Sequence, residues 1–389
     1  MLKILRHIYH YLFAYASAIW YHSPSRELYI VAVTGTKGKT TTTELVSAIL
    51  EKAGYKTAIS STLRFKIADK SNANLKKMTM PGRGFLQKTL RQAVKAGCTH
   101  AVLEMSSEGA AQFRHKFIDL DALIFTNLTP EHIESHGSYE NYVKAKLGIA
   151  HSLVVSPKPN KILIVNTDSA EANLFLSTKV SKKATYNLKQ AELWMEILPG
   201  KFNLYNVLAA ITFARTLGID EKIIRQAIGN FKTVRGRMEN VSQTNFDVIV
   251  DYAHTAESLK QVYETYPNRR KLCVLGGTGG GRDTRKRPIM GGLADTYCDQ
   301  IFLTDEDPYD EDPEKIINDV ASGIKNKSKM KIIIDRREAI ATAIKAAKPT
   351  DVILITGKGT DPCIMGPKGT QTPWNDAEVA KDELAKVGK

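Results

Sequence analysis

The chain is poor in cysteine and has no long apolar run, and each scarcity excludes a class of protein. Four cysteines occur among its 389 residues, at positions 98, 273, 298 and 363, and no two form a CxxC pair. This spacing predicts neither a zinc ribbon nor a disulfide framework, so we expect reduced thiols in a cytoplasmic protein. The composition, 43% hydrophobic and 25% charged, excludes a disordered or collagen-like chain.

Acidic residues are fewer than basic residues. The 41 Asp and Glu residues stand against 55 Lys and Arg residues, which gives a formal net charge of +14. A basic chain attracts anions, so nucleotides, nucleic acid and anionic lipid are the partner classes that charge alone leaves open. The length predicts two or three domains.

The first apolar segment runs from Ile4 to Trp20, with Leu5, Ile8 and Leu12 at helical spacing. It is shorter than the roughly 20 residues that a membrane-spanning helix needs. Three interpretations fit: a helix docked on the protein's own core, an interfacial helix that contacts a membrane or a lipid-linked substrate, and a signal peptide. We predict that residues 1–28 form an amphipathic helix and a linker.

A phosphate-binding loop is predicted between a buried strand at 29–33 and a helix at 40–53. The connecting residues 34–41 read Thr-Gly-Thr-Lys-Gly-Lys-Thr-Thr. Glycines let backbone N–H groups face phosphate oxygens at a helix N-terminus. Lys39 can neutralise phosphate charge, and the Thr40 hydroxyl can bind Mg²⁺. The predicted nucleotide-binding residues here are Gly35, Thr36, Lys37, Gly38, Lys39, Thr40 and Thr41.

The longer pattern GxxxxGK[ST] fails, because its first glycine would fall at Val33. The shortened loop Thr-Gly-Thr-x-Gly-Lys-Thr resembles that of the Mur ligase superfamily, which makes amide bonds with ATP. The resemblance is closest to UDP-MurNAc-tripeptide synthetases and continues over nearly all of the chain after residue 29. It implies an α/β fold, with a central P-loop ATPase domain built on a parallel-rich sheet at 29–234 and a C-terminal Rossmann-like domain at 235–389. It also leads us to expect that the UDP-binding domain of full-length members is missing.

The resemblance also implies a metal site. Glu104, in Glu-Met-Ser-Ser, matches a Mg²⁺-binding glutamate, and His132, in Pro-Glu-His-Ile-Glu-Ser-His-Gly, matches a histidine that ligates a second Mg²⁺. A zincin HExxH is excluded, because isoleucine follows that histidine. Lys146 matches the family's carbamylated lysine, with Lys144 as the competing position. A carbamate is anionic and can sit beside Mg²⁺ without repulsion. With Thr40, these three matches complete the predicted metal ligands.

Nucleotide contacts further along the chain are implied in the same way. Asn206 matches a residue that contacts adenine, with Asn203 beside it, in Gly-Lys-Phe-Asn-Leu-Tyr-Asn. Arg237 matches an arginine that reaches ATP phosphate, and Asp251 matches a residue that holds ribose. His254 lies near the reaction centre by resemblance. The predicted catalytic residues are Lys39, Lys146, Arg237 and His254.

On the acceptor side, Met-Thr-Met-Pro-Gly at 78–82 resembles a loop that holds the muramyl peptide, which makes Thr79 a substrate residue. Ser106 follows the metal-binding glutamate, and Arg114 matches a substrate-carboxylate arginine.

On the amine side, the family has the segment Asp-Asn-Pro-Arg, whose arginine holds diaminopimelate. This chain reads Asp305-Glu306-Asp307-Pro308-Tyr309 there, so a tyrosine stands in the place of the arginine. The family's Gly-Lys-Gly-His-Glu ends here in Thr360-Asp361. We predict Asp307, Tyr309 and Asp361 as substrate contacts and a cationic amino acid as the amine, with a solvated acidic loop as the alternative interpretation.

Taken together, the motifs predict an ATP-dependent carboxylate–amine ligase that works through an acyl phosphate and adds an amino acid to a peptidoglycan-precursor peptide. ATP and Mg²⁺ are the implied cofactors. A carboxylate acceptor, UDP-linked or lipid-linked, and an amino acid are the implied partners, and no nucleic acid is implied. The alternatives are a folylpolyglutamate, cyanophycin or poly-γ-glutamate type of ligase, and a nucleotide-binding ATPase that makes no amide bond.

Overall fold

The computed structural model describes residues 2–82, 84–131, 133–242, 244–281 and 283–387. The chain divides into two compact units. The first unit is Met1–Ile197 with Lys201–Lys232, and the second unit is Leu198–Gly200 with Thr233–Lys389.

The first unit alternates strands with helices. Its helices are α1 (Leu2–Trp20), α2 (Lys39–Lys52), α3 (Phe85–Lys95), α4 (Ser107–Ala111), α5 (Ile133–His136), α6 (Tyr139–Val155), α7 (Ala172–Leu176), α8 (Lys201–Leu217) and α9 (Glu221–Gly229). Its strands are β1 (Tyr29–Thr34), β2 (Thr57–Ser60), β3 (Arg64–Ile67), β4 (Lys70–Ala73), β5 (His100–Met105), β6 (Ala122–Phe125), β7 (Ile162–Asn166) and β8 (Lys182–Tyr186).

These eight strands form one sheet in the order β4-β3-β2-β5-β1-β6-β7-β8. All neighbours pair in parallel except β2 with β3 and β3 with β4, which are antiparallel. The strand β1 lies at the centre because Ile30 to Val33 are apolar and fully buried, as expected for a parallel strand covered on both faces. The strands β5 and β6 flank β1 on its two sides. The loop after β1 therefore lies at a topological switch point of the sheet, where α/β proteins bind ligands.

The second unit repeats this layered design on a smaller sheet. Its helices are α10 (Ala256–Glu264), α11 (Lys286–Tyr297), α12 (Pro313–Ala321), α13 (Arg336–Ala346) and α14 (Asp376–Lys386). Its strands are β9 (Glu239–Asn240), β10 (Asp247–Asp251), β11 (Lys271–Leu275), β12 (Gln300–Leu303), β13 (Met330–Ile332), β14 (Val352–Thr356), β15 (Cys363–Met365) and β16 (Gln371–Pro373). Six strands pair in the order β13-β12-β11-β14-β10-β9, parallel except at β9, and β15 with β16 forms a separate antiparallel pair. Both the parallel-rich first sheet and the Rossmann-like second unit confirm the predicted α/β class.

The expectation of four reduced thiols is wrong for two of them. Cys273 and Cys298 form a disulfide, with their Cα atoms 6.2 Å apart, whereas Cys98 and Cys363 are free and buried. The spacing of 25 residues gave no hint of this pairing. The crossover from β11 through α11 returns the chain to the neighbouring strand β12, so the end of that helix lies beside the middle of β11.

The predicted N-terminal helix is confirmed as α1, which packs on the first unit through aromatic rings. Tyr11 contacts the rings of Phe113 and Phe117, at centroid distances of 5.7 and 5.2 Å, and Ala18 is buried. Among the described residues, no helix is both long enough and apolar enough to cross a membrane.

A buried histidine in the first unit should make the stability of the protein depend on pH. His115 is 3% exposed, and burial lowers its pKa to about 4. The unfolded chain takes up this proton below its ordinary pKa near 6.5 and the folded chain only near 4, so the free energy of unfolding falls as pH drops through that window. The full loss is about 3 kcal/mol.

Thermal melts at pH 7 and pH 4.5 test this expectation. The His115→Met variant should lose less stability between the two pH values than the wild type, and the exposed His151→Met variant should behave like the wild type. An unchanged pH dependence in His115→Met would contradict it.

Candidate active site

The loop after β1 requires glycine at two positions. Gly35 has φ of +153° and Gly38 has φ of +81°, in the region that side chains rarely adopt. A Cβ at Gly35 would collide with Thr126 Oγ1, and a Cβ at Gly38 would collide with the amide oxygen of Asn206. The loop is therefore folded tightly between the end of β6 and the start of α8.

Asn127, which the sequence analysis did not select, fixes the shape of this loop. Its backbone oxygen accepts from Thr36 N at 2.8 Å, and its side-chain oxygen accepts from Lys37 N at 2.9 Å. Its amide nitrogen donates to Lys37 O at 3.1 Å, while Thr126 Oγ1 donates to the same oxygen at 2.7 Å. The only sequence signal was its place at the head of the segment that contains His132.

Two lysines converge on one carbonyl of the loop. Lys39 Nζ donates to Gly35 O at 3.1 Å and to Thr36 O at 2.9 Å, and Lys146 Nζ donates to Gly35 O at 2.6 Å. Lys146 is only 2% exposed, and its ammonium lies 5.0 Å from the centroid of the Tyr142 ring. Burial, and then the charge of Lys39, lower the pKa of Lys146 well below its ordinary value. This site therefore favours the uncharged amine of that side chain over the ammonium.

The predicted metal ligands Thr40 and Glu104 are in direct contact. Thr40 Oγ1, at the start of α2, donates to Glu104 Oε2 at 3.0 Å, and the glutamate is 3% exposed at the end of β5. Thr62, which the sequence analysis missed, donates from its backbone nitrogen to Oε2 at 2.8 Å and from its hydroxyl to Oε1 at 3.0 Å. Hydroxyl and carboxylate oxygens are the donors that Mg²⁺ prefers, so these residues fit that ion.

The other expected metal ligands are His132 and Lys146. His132 lies outside the described residues. Among the residues that the structure does describe, no group of three or more His, Cys, Asp or Glu side chains is arranged to hold a metal ion. The remaining ligand that the sequence predicts is Lys146, which coordinates a cation only as a carbamate.

One of the predicted acceptor-side residues, Thr79, is linked to this cluster by a hydrogen bond. Thr79 Oγ1 lies 2.8 Å from Thr62 Oγ1, and so one hydroxyl away from Glu104. Ser106 accepts from Gly109 N at 3.2 Å and caps α4, a structural role that accounts for its side chain. Arg114 donates to Met80 O and, at 2.6 Å, to Gln112 Oε1.

The nucleotide-side residues of the first unit also lie at the loop. Asn206 donates to Asn203 Oδ1 at 3.2 Å and accepts from Thr42 Oγ1 at 3.4 Å, and both asparagines are buried. Thr41 is buried in the first turn of α2. The two asparagines therefore join α8 to the helix that begins at the loop.

In the second unit, three predicted residues meet at the end of β10. Both carboxylate oxygens of Asp251 accept backbone N–H groups at 2.8 Å, from Met238 and from Ala253, and burial raises the pKa of this group. The Arg237 guanidinium lies 4.4 Å from the centroid of the Tyr252 ring, and its buried Nε has no hydrogen-bond partner among the described residues. His254 Nδ1 lies 2.9 Å from Tyr252 O.

The amine-side residues form a compact charged cluster. Lys358 is fully buried, and its ammonium lies 2.7 Å from Asp307 Oδ1 and 3.3 Å from Asp361 Oδ2. Tyr309 has φ of +53°, and its backbone nitrogen donates to Met365 O at 3.0 Å. Two carboxylates thus face one internal ammonium, which leaves the cluster acidic.

Comparison with known proteins gives a consistent result. The family model of the Mur ligase middle domain matches residues 33–197, and that of the Mur ligase glutamate ligase domain matches residues 236–359. A UDP-N-acetylmuramoyl-L-alanyl-D-glutamate–2,6-diaminopimelate ligase of Cytophaga hutchinsonii is 34% identical over an alignment that covers 95% of this chain and 80% of that protein.

Solved structures extend the comparison. A ligase of the same name superposes with a TM-score of 0.63 at 28% identity and covers 93% of this chain and 79% of its own. The folylpolyglutamate synthase of Mycobacterium tuberculosis, complexed with ADP and AMPPCP, has a TM-score of 0.72 at 14% identity over 97% of this chain and 95% of its own, which shows a shared fold.

Proposed function

Because this chain belongs to the Mur ligase family and is an acid–amino-acid ligase of that type, we propose that it uses ATP to join an amino acid to the carboxylate of a peptidoglycan-precursor peptide. The observation that carries the proposal is the buried cluster at the loop after β1. There Lys39 and Lys146 both donate to Gly35 O, and Thr40, the residue after Lys39, donates to Glu104.

The reaction has two balanced steps. An oxygen of the acceptor carboxylate attacks the γ-phosphorus of ATP, the bond to ADP breaks, and an acyl phosphate forms. The amine nitrogen then adds to the acyl carbon, loses one proton to solvent, and expels phosphate as the amide forms. Positioning and charge stabilisation supply most of the catalysis in phosphoryl transfer, and Lys39 and Arg237 provide positive charge for both steps.

Thr40 and Glu104 would hold Mg²⁺, and a bound Mg²⁺ would offset negative charge on the phosphates. The protein fixes this pair before any ion arrives, because Thr62 donates twice to the glutamate and leaves it one orientation. A carbamate on Lys146, formed when the uncharged amine adds CO₂ and releases a proton, would add an anionic oxygen donor. His132 is the proposed ligand of a second ion.

We assign nucleotide recognition to the residues that the family resemblance selects. Asn206 and Asn203 are proposed to contact adenine, and Asp251, already oriented by two backbone donors, keeps lone pairs for ribose hydroxyls. Arg237 has a guanidinium stacked on a ring with an unused buried N–H, a suitable donor for phosphate. His254 is proposed to lie near the reacting groups.

Release of ADP tests the proposal. Purified protein is incubated with ATP, Mg²⁺ and a panel of acceptor and amine pairs, including UDP-N-acetylmuramoyl-L-alanyl-D-glutamate. We expect ADP release that requires both the acceptor and the amine, with a new amide detected by mass spectrometry. Turnover of ATP without an acceptor would instead favour a nucleotide-binding ATPase, and turnover with a folate or polyglutamate acceptor would favour another type of ligase.

The acidic cluster around Lys358 supports a basic amino acid, such as lysine or ornithine, as the amine. Loss of one charge-assisted contact to a distal carboxylate costs about 1.5–3 kcal/mol, roughly tenfold to a hundredfold in preference. Competition assays should therefore favour a basic amino acid over meso-diaminopimelate, and Tyr309→Arg should shift the ratio back toward diaminopimelate. A strong preference of the wild type for diaminopimelate would refute this assignment.

An anionic membrane surface is a second candidate partner, favoured by the outward face of α1. Large apolar residues there are exposed, with Leu5 at 58%, Leu12 at 56% and Trp20 at 78%. Rings on the inward face are packed, so deleting residues 1–24 should uncover Phe113 and Phe117 and lower the Tm by about 5 °C or more. The matched variant Leu5→Ser/Leu12→Ser should melt like the wild type.

Sedimentation with phosphatidylglycerol vesicles separates the two roles of α1. Binding by the wild type that is lost in Leu5→Ser/Leu12→Ser would establish a membrane contact, and absence of binding would exclude it. A folded deletion variant with an unchanged Tm would show that α1 does not stabilise the protein.

We place the reaction in the cytoplasm, where ATP and nucleotide-linked precursors are available.

A further inference from the structure

A cavity of about 450 Å³ lies between α1 and the loop at residues 78–82. None of its lining belongs to the phosphate loop. Its walls combine aromatic rings and cations, which include Tyr9, His10, Phe13, Lys76, Arg114 and Lys116. This size is typical of a site for a small molecule.

The cavity has a strongly positive lining. Of the described residues that line it, none is acidic, and Lys76, Arg114 and Lys116 form no salt bridge with a described residue. The Nε2 atom of His10 is buried and has no hydrogen-bond partner among the described residues. Lys76 and Lys116 without an acidic partner among the described residues, together with Arg114 and a buried imidazole nitrogen, indicate a multiply charged anionic ligand.

Packing of α1 holds two of these cations in place. Phe113 and Phe117 both adopt positive φ, +57° and +59°, a conformation that is strained in non-glycine residues. Their rings contact α1: Phe113 contacts His7 and Tyr11, and Phe117 contacts Tyr11 and Tyr15, at centroid distances of 5.2–5.8 Å. Arg114 and Lys116 lie between the two phenylalanines in the chain and line the cavity, so the segment that carries both cations packs against α1.

The cavity borders the loop that leads to the acceptor side of the proposed reaction centre, since Met78, Pro81 and Gly82 line it. Arg114 donates to Met80 O, and Met80 accepts through its sulfur from Ser106 N at 3.3 Å. Next to it, Thr79 Oγ1 lies 2.8 Å from Thr62 Oγ1, which donates to Glu104. A ligand that extends along this loop therefore reaches from the cavity to the proposed metal-binding glutamate.

We propose that this cavity binds the sugar diphosphate that carries the acceptor peptide, a role that rests on the proposed ligase function. The diphosphate would pair with Lys76 and Lys116, and the rings of Tyr9 and Phe13 would pack on the apolar face of the sugar. In this arrangement α1 is a wall of the substrate site. The same chemistry is offered by a UDP-linked and by a polyprenyl-diphosphate-linked acceptor.

Calorimetry with full-length protein tests the site without requiring turnover. The probes are UDP-N-acetylmuramoyl-L-alanyl-D-glutamate and the same muramyl dipeptide on a short polyprenyl diphosphate. Lys76→Gln/Lys116→Gln should raise the Kd of the bound probe about tenfold and flatten its dependence on salt. Phe13→Ala should raise the Kd several-fold. Lys95→Gln, an exposed cation on α3, and Leu12→Ala, on the outward face of α1, are the matched controls and should leave the Kd unchanged.

Each outcome decides a different point. A Kd that does not change in the lysine and Phe13 variants, or no measurable binding of either probe to the wild type, would overturn the site. Binding that depends on these residues in a protein that forms no amide would keep the site and reject the ligase function. Acceptor-dependent turnover with an unchanged Kd in all variants would keep the ligase function and reject the site. The probe that binds more tightly identifies the source of the diphosphate.

Discussion

Replacing Lys39 with alanine should reduce turnover by a factor of about 10²–10³ and leave the protein folded. Its ammonium is half-buried and donates to Gly35 O and Thr36 O, so it is already positioned at the mouth of the phosphate loop. Removal of a comparable preorganised donor costs this much in rate, because the charge that develops on the transferring group loses its partner. The measurement is acceptor-dependent ADP release under saturating ATP.

The fold should tolerate this change, since the side chain is only half-buried. Removal of one of two neighbouring ammonium groups also relieves repulsion on Lys146, whose pKa the charge of Lys39 lowers. Lys52→Ala, at the exposed end of the same helix, is the matched control and should retain wild-type turnover. Near-normal kcat in Lys39→Ala with a wild-type Tm would reject the assignment of this loop to ATP.

The sequence predicts those parts of the site that depend on local patterns. The phosphate loop is recognisable because strand, glycines, lysine and threonine are consecutive in the chain and each has a separate physical requirement. Glu104 is recognisable because it ends an apolar run of strand length. For the same reason the positions of β1 and α2 are predicted well.

Residues that act through long-range contacts are not recognisable in this way. Thr62 lies 42 positions before Glu104, and Asn127 lies about 90 positions after the loop that it shapes. Both have ordinary polar side chains with no local pattern. The disulfide between Cys273 and Cys298 was missed for a related reason, because only the crossover between β11 and β12 brings the two thiols together. The rings of Phe113 and Phe117 likewise face α1 only because their backbone adopts positive φ.

Lys146 should prove essential as an anion rather than as a cation. It is 2% exposed and lies beside Lys39, and two ammonium groups share the Gly35 carbonyl, an arrangement that is unfavourable for a second positive charge. A carbamate would reverse the sign of that charge and attract both Lys39 and a divalent cation. Lys146→Ala should therefore be nearly inactive, and Lys146→Arg should be equally inactive, because an arginine keeps the positive charge and forms no carbamate.

Rescue experiments separate a carbamate from a simple packing role. Short carboxylic acids such as formate or acetate should restore part of the activity of Lys146→Ala, because they supply the missing anion in the space that the side chain vacates. They should not restore Lys146→Arg, in which that space is filled. Wild-type enzyme stripped of CO₂ should lose activity and regain it when bicarbonate is added. The modification adds one CO₂ to Nζ with loss of a proton, about 44 mass units in all, which native mass spectrometry of ATP-loaded enzyme can detect. An active, ATP-loaded enzyme with an unmodified Lys146 would show that the buried ammonium itself serves the reaction.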